Sequence, residues 1–285
     1  MAQTVKIISD STCDLSKDLL EKYDISILPL HILLGETEYR DGVDITPEEI
    51  FRWSDENKTT PKTSAPSMTE AMEVMKPFLD EGREIICFSI SDSMSTSGNV
   101  MRLAAEELEA SDKVTVINSA NLSTGIGLQV IQAALLSAEG KTRAKITAAI
   151  EEIRPRVRAS FTVDTLTYLY RGGRCNAVAA LAGTMLKLHP RIVVEDGAMD
   201  ASKKYRGKLS SVILSYTKDM EDDLKNAVPD RVFITHSGCD REIVESVRSY
   251  LESLGIFNEI LETRAGGVIS RHCGPGTLGV LFIEK

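Results

Sequence analysis

The residues best suited to chemistry in this sequence are hydroxyls gathered in three short loops. Asp10-Ser11-Thr12-Cys13-Asp14 follows an apolar strand pattern, and Thr63-Ser64-Ala65-Pro66-Ser67 precedes a helix. The third, Ser89-Ile90-Ser91-Asp92-Ser93-Met94-Ser95-Thr96-Ser97-Gly98, follows another strand and opens the next helix. Hydroxyls and free amides at helix starts suit an anion such as a carboxylate or phosphate. Taken singly, each cluster also provides what helix capping needs. Three of them on one sheet edge favour a ligand. Later in the chain, Arg171-Gly172-Gly173-Arg174 reads either as a phosphate contact or as a solvated basic turn. His272-Cys273-Gly274-Pro275-Gly276 sets a histidine on a loop that glycine and proline constrain. A lone histidine is more often structural, but a loop this stiff points to a positioned donor.

Familiar catalytic signatures are missing. There is no G-x-x-x-x-G-K-[ST] nucleotide loop and no G-x-S-x-G elbow. Gly125-Ile126-Gly127 starts like a dinucleotide fingerprint, but Val130 stands where the third glycine belongs. Close packing of a helix on a sheet is the simpler account of those glycines. His31, His189, His236 and His272 have no metal-ligand spacing. Five cysteines, at 13, 87, 175, 239 and 273, are odd in number and form no C-x-x-C pair, so neither a zinc site nor a disulfide framework is indicated.

Loops of this kind need elements to hold them. The first half alternates short apolar runs with helical patterns: strands at Val5–Ser9, Ile85–Ser89 and Val114–Ile117, and helices through Leu19, over Asn99–Leu108, 125–138 and 143–153. Ile25–Leu34 is a further apolar segment before a turn-rich excursion bracketed by Gly35 and Gly42. Thr46-Pro47-Glu48-Glu49 and Ser67-Met68-Thr69-Glu70 both carry capping-box logic. This alternation predicts a mainly parallel sheet flanked by helices. After Arg154-Pro155-Arg156 the pattern changes. A strand at Ala159–Val163, a buried Ala- and Leu-rich helix over Asn176–Leu188, and a hairpin turning at Asp196-Gly197 come first. A helix over 208–226, a strand at Val232–Thr235, a helix over 241–254 and strands at Glu259–Thr263 and Gly279–Ile283 complete a mixed sheet. The fold class is therefore α/β in two domains: 1–155, with a mainly parallel sheet, and 156–285, a smaller mixed α/β domain.

Composition narrows the partners. The chain has 285 residues, 42% of them hydrophobic, which is ample for a core. A net charge of -9, a pI near 5.1 and 5% aromatics oppose nonspecific attraction to nucleic acid and a base-stacking platform. No apolar run approaches the ~18 residues that span a bilayer. Met1-Ala2-Gln3-Thr4-Val5-Lys6 leads straight into a strand with no signal-peptide pattern, so the expectation is a soluble, cytoplasmic protein.

In this order the clusters resemble the DegV family, whose better-understood members are similar to the fatty-acid-binding subunit of bacterial fatty acid kinases. The resemblance runs from Asp10-Ser11 through Thr63-Ser64-Ala65-Pro66-Ser67, the serine loop, Gly172-Gly173-Arg174, Lys187-Leu188-His189-Pro190 and Asp196-Gly197 to His272-Cys273-Gly274-Pro275-Gly276. It implies one long-chain fatty acid buried between two domains, with its carboxylate held by Thr63, Ser95 and His272. The usual family string is Ser-Gly-Thr; here Ser95-Thr96-Ser97 precedes Gly98, so Ser95 aligns and Ser97 takes its place in a shifted register. Ser64, Asp10, Ser11 and Gly274 are further candidates for the ligand site. No role attaches to His189.

The resemblance also implies a carrier without a catalytic centre, metal or nucleotide cofactor. Such a carrier presents the acid to a separate ATP-dependent kinase subunit, with transient membrane contact. Arg171, Arg174 and Arg206 become candidates for contact with that kinase, and segment 177–188 for the acyl-tunnel wall or for plain core. Two rivals remain. One is an acyl hydrolase with Ser95 as nucleophile, His272 as base and Asp10 or Asp92 orienting it. The other is a site for a small polar anion such as a sugar phosphate.

Overall fold

The computed structural model describes residues 5–174 and 188–285. The first half opens with β1 (Val5–Asp10), α1 (Lys17–Lys22), β2 (Ile25–Leu28), β3 (His31–Leu34), β4 (Thr37–Arg40), α2 (Pro47–Asn57) and β5 (Lys62–Ser64). It continues with α3 (Met68–Asp80), β6 (Glu84–Ser89), α4 (Ser97–Glu107), β7 (Val114–Asn118), α5 (Thr124–Ala138) and α6 (Arg143–Ile153). Both expected capping boxes are formed. Thr46 and Glu49 start α2, with Pro47 in its first turn, and Ser67 and Glu70 start α3.

β1, β2, β6 and β7 make a parallel sheet in the order β2-β1-β6-β7. The chain leaves β1 toward β2 on one side and later adds β6 and β7 on the other. Strand order therefore reverses between β1 and β6, and ligands favour the crevice beyond the strand C-termini at such a point. The apolar run Ile25–Leu34 is split at Pro29-Leu30: β2 joins this sheet, while β3 joins a small antiparallel sheet, β4-β3-β5. Of its strands, β3 is the second part of the expected apolar segment, whereas β4 falls in the turn-rich excursion and β5 in the expected Thr63–Ser67 loop.

The second half continues with β8 (Val157–Thr162), α7 (Thr167–Gly172), β9 (Leu188–Glu195), β10 (Ala198–Arg206), α8 (Leu209–Lys218), α9 (Glu221–Lys225) and β11 (Ala227–His236). After these come α10 (Arg241–Leu254), β12 (Glu259–Arg264), α11 (Gly267–Cys273) and β13 (Leu278–Glu284). Six strands form a mixed sheet, β10-β9-β8-β13-β11-β12, in which only β11 and β12 run parallel. Asp196 and Gly197 both have positive φ, as a type I′ hairpin turn requires. The helix expected over 208–226 is two, interrupted at Asp219-Met220, where the Asp219 carboxylate is drawn to Tyr205 and Lys203 of β10. The helix expected over Asn176–Leu188 lies outside the described residues, apart from Leu188, which begins β9.

One apolar core joins the halves. Phe88, Leu122 and Ile126 from the first belong to the same buried cluster as Phe161, Ile192, Ile269 and Leu281 from the second. α5 lies at its centre, buried on nearly all sides and touching β1 and β6 of one sheet and β8 and β13 of the other. A helix apolar all round is a core helix. Gly127 makes this close approach possible: a Cβ there would stand 2.8 Å from the Leu15 side chain and 3.1 Å from the Cys13 carbonyl. The Gly125-Ile126-Gly127 pattern is thus a packing feature.

Candidate functional site

Three features bring the hydroxyl loops together. Asp10, fully buried at the end of β1, accepts hydrogen bonds from Thr12 N (3.2 Å), Thr12 Oγ1 (2.5 Å) and Ile90 N (2.9 Å). Its carboxylate therefore staples the start of the serine loop to β1 across the strand reversal. The loop then reaches the other half of the molecule, where Ser91 Oγ and Ser93 Oγ both donate to the Gly197 carbonyl in the β9–β10 turn, at 2.6 and 2.5 Å. Thr63 and Ser64, from β5, are placed by pairing with Ile32 and His31 of β3.

Between these loops and α11 lies a cavity of about 470 Å³, within the usual range for small-molecule sites. Leu30, Ile90, Met94, Leu122, Met199, Val268 and Ile269 give it an apolar body. Thr63, Ser64, Ser95, His272 and Arg174 give it a polar end. A larger cleft of about 810 Å³ lies elsewhere, over Asn118, Arg154, Arg158 and Arg191. Its Arg154 and Arg158 are already paired with Glu151 and Glu284, and none of the three hydroxyl loops lines it.

α11 is the wall contributed by the second half, and two aspartates of the first half hold its start. Asp14 accepts from Gly266 N at 2.8 Å and from Ser123 Oγ at 2.5 Å. Asp41 accepts from Gly267 N at 2.7 Å, Val268 N at 3.3 Å and Ser11 Oγ at 2.8 Å. Carboxylates on the free amides of a helix start satisfy otherwise orphaned donors and complement the dipole. Yet both are buried and lie near one another and near Asp10, so burial, then mutual repulsion, outweighs the hydrogen bonds. The Asp41 carboxyl is pushed up to about 6, and Asp14 well above its ordinary range.

At the other end of α11 stands His272, which the sequence placed on a loop; it occupies the helix's last turn instead. Its Nε2 lies 3.3 Å from Thr63 Oγ1. The Arg271 guanidinium meets the ring at 2.9 Å from Nδ1 and 3.2 Å from Nε2. Burial, then Arg271, then Arg174 hold the imidazole well below its ordinary pKa, so it is neutral at physiological pH. Gly172 closes the far side: a Cβ there would stand 2.5 Å from His272 Nδ1, so any larger residue displaces the ring.

A cavity with an apolar body and an uncharged hydroxyl–imidazole end, flanked by Arg174 and Arg271, invites comparison with proteins of known structure. The DegV family's sequence profile matches residues 4–285. The chain belongs to the DegV family. A DegV domain-containing protein of Clostridium perfringens is 32% identical over 281 residues, covering 99% of both chains. The DegV structure from Thermus thermophilus, described as fatty-acid-binding, superposes with a TM-score of 0.91 at 31% identity, covering 99% of this chain and 100% of that one. A stearic-acid-binding protein from Eubacterium ventriosum superposes at 0.84, also at 31% identity, with 99% and 98% covered.

In this DegV protein the sequence-derived candidates separate into two groups. Thr63, Ser64, Ser95, His272 and Arg174 line the cavity. Asp10, Ser11, Ser97 and Gly274 do not. Asp10 staples the serine loop, and Ser11 links Asp41 to the Leu30 amide. Ser97 lies buried under the loop, its backbone N–H donating to Ser95 Oγ at 3.2 Å. Gly274, at φ +80°, packs on the Tyr168 ring just past α11. Arg171 and Arg206 are exposed, at the ends of α7 and β10, and outside the cavity lining. His189 is buried and donates to the Val163 carbonyl at 3.0 Å. Of the proposed tunnel-wall segment 177–188, all but Leu188 lies outside the described residues. Sequence reasoning missed Asp14 and Asp41 as the clamp of α11, and Arg271. The pattern D-x-x-x-D at 10–14 was visible, but the partners lie more than 200 residues away.

Proposed function

We propose that this protein binds a long-chain fatty acid, its chain in the apolar body of the cavity and its carboxylate on Thr63, Ser95 and His272. The observation that carries this reading is the cavity itself: apolar side chains from both halves end in two hydroxyls and a neutral imidazole. A buried carboxylate must find hydrogen-bond donors, and these supply them. At ~0.8 kcal/mol per buried methylene, a chain of about 14 gains on the order of 10 kcal/mol gross. Association and ordering costs remove much of that. The tail thus supplies most of the affinity and the head fixes orientation. The fatty-acid-binding DegV relatives support the same reading.

The hydrolase alternative fits the geometry poorly. An orienting carboxylate belongs at the base's Nδ1; among the described residues no carboxylate is bonded to the His272 ring, which has the Arg271 guanidinium against it instead. Asp10 is committed to Thr12 and Ile90. The polar-anion alternative leaves the apolar body unexplained. Denaturing mass spectrometry of an organic extract from purified protein decides among them. We expect a near-stoichiometric long-chain fatty acid. Lipid-free protein that also fails to take up added palmitate would sink the proposal.

On this reading the protein is a carrier without a catalytic centre of its own, acting in the cytoplasm with transient membrane contact. It presents the acid to an ATP-dependent fatty acid kinase, with Arg171, Arg174 and Arg206 facing that partner. Arg206→Glu should lower turnover with the kinase at least several-fold and leave lipid occupancy intact. Lost lipid with unchanged turnover per loaded protein would give Arg206 a structural role instead.

A further inference from the structure

We propose that Ser91 and Ser93 are positioning residues for the head-group site: their hydroxyls staple the serine loop to the β9–β10 turn of the second half and thereby set where Ser95 stands. The inference rests on the fatty-acid reading above for the identity of the ligand, and on the geometry of the loop for the rest.

Ser91 is 2% exposed, and each of its polar atoms is engaged. Its N–H donates to the Asn121 carbonyl at 2.9 Å, which ties the loop to the segment after β7. Its hydroxyl donates to the Gly197 carbonyl and accepts from the Ser93 amide at 3.3 Å. Its carbonyl accepts from the Met94 amide at 2.9 Å and from the Ser95 amide at 3.2 Å. Ser91 is thus the first residue of a turn that Ser95 closes, so a displacement of one is passed directly to the other. The Ser93 hydroxyl donates to the same Gly197 oxygen. A carbonyl oxygen has two lone pairs, and the two serines take both.

The turn is shaped for this contact. Gly197 has φ +78°, and a Cβ there would stand 2.6 Å from Ser91 Oγ and 3.5 Å from the Ala120 Cα. Positive φ alone would admit asparagine; the closeness of Ser91 leaves no room for any side chain. Two residues on, Met199 lines the same cavity as Met94 and Ser95, so the staple joins two parts of one wall. Asp14 and Asp41 tie the halves at the start of α11, whereas this tie lies on the serine loop itself. Its position matters because a hydrogen bond weakens steeply once distance and angle depart from their narrow optimum. A loop released from Gly197 would keep the Ser95 hydroxyl but no longer hold it in register with Thr63 and His272.

The test is a double-mutant cycle on palmitate retention, read by competition against a fluorescent fatty acid. Ser91→Ala/Ser93→Ala should weaken retention about 10-fold in the wild-type background. With Ser95→Ala already present the same pair should cost less than about 2-fold, because residues that act through Ser95 then have nothing left to position. Equal losses in the two backgrounds overturn the proposal, as does unchanged retention. Ser93 is exposed, so Ser93→Ala spares the core. That single variant should weaken retention about 3-fold, with the same dependence on Ser95. The Ser95 amide gives a second reading in lipid-free protein. Its hydrogen exchange should quicken in Ser91→Ala/Ser93→Ala while the amides within β6 exchange as in wild type. An unchanged Ser95 rate overturns the proposal. Wild-type protein that takes up no palmitate, together with the expected exchange pattern, would instead remove the fatty-acid reading alone.

Discussion

In Thr63→Val/Ser95→Ala, retention of a long-chain fatty acid falls by roughly two to four orders of magnitude while the chain stays folded. Each hydroxyl donates to an ionised acceptor, an interaction worth about 1.5–3 kcal/mol, and removing both costs on the order of 3–5 kcal/mol. The fold survives because β5 is held to β3 through backbone pairs and valine keeps the volume of threonine. Ser95 contributes a single local bond, from the Ser97 amide. Competition against a fluorescent fatty acid reads the affinity, and a circular-dichroism melt reads the fold. An unchanged dissociation constant would take both hydroxyls out of the site. The loss should be larger for the acid than for its methyl ester, which lacks the charge that the donors meet.

Asp41→Asn should remove most of one pH-dependent contribution to stability. The Asp41 carboxyl lies at about 6 in the folded protein against 3.8 ordinarily. The folded state therefore binds this proton more tightly than the unfolded chain does. Stability from this group is present below the ordinary value and is lost as pH rises toward 6. About two pH units correspond to on the order of 3 kcal/mol. Asparagine keeps an oxygen for the Gly267 and Val268 amides and cannot ionise. Comparing variant with wild type at pH 8 and at pH 4 cancels the surface carboxylates, many of which titrate in the opposite sense. Denaturant melts should show the variant gaining about 2–3 kcal/mol relative to wild type between pH 4 and 8. A constant difference across that range would mean that Asp41 is not the group paying for its burial. Asp41→Ala should instead destabilise at every pH, because it leaves two buried amides without an acceptor.

How much could be seen in the sequence differs from element to element. The strands of the parallel sheet are short β-branched runs such as Val5-Lys6-Ile7-Ile8 and Glu84-Ile85-Ile86, and the capping boxes at Thr46 and Ser67 are local, so both were legible. The hairpin at Asp196-Gly197 was legible for the same reason. α11 was not. Its first residues are Gly267 and the glycine before it, which read as breakers, and the helix starts there because Asp14 and Asp41 reach it from the other half. β3, β4 and β5 are three or four residues each, too short for alternation to register, and gain their order from one another. Thr63, Ser95 and His272 were named through the family resemblance; spacing alone gave hydroxyl loops and a stiff histidine loop. Arg271 had no local signal at all. Its burial against His272, with no carboxylate partner among the described residues, is a property of packing.

The strand order of the six-stranded sheet has a kinetic consequence. β13 lies between β8 and β11, and its partner β8 precedes it by more than a hundred residues. Closing so long a loop carries an entropic cost before any contact rewards it. β8 with the β9–β10 hairpin, and β11 with β12, are separate fragments until β13 zips between them. α11 immediately precedes β13, so the wall that bears Arg271 and His272 is set only at that final step. The parallel sheet and its serine loop can form earlier, since their strands all lie within the first 118 residues. During synthesis the nascent chain thus exposes an apolar trough with one wall missing. On the fatty-acid reading, loading of the ligand and completion of the second sheet should be coupled, so that palmitate added during refolding raises the refolding rate as well as the stability of the product; a rate unchanged by palmitate would separate the two.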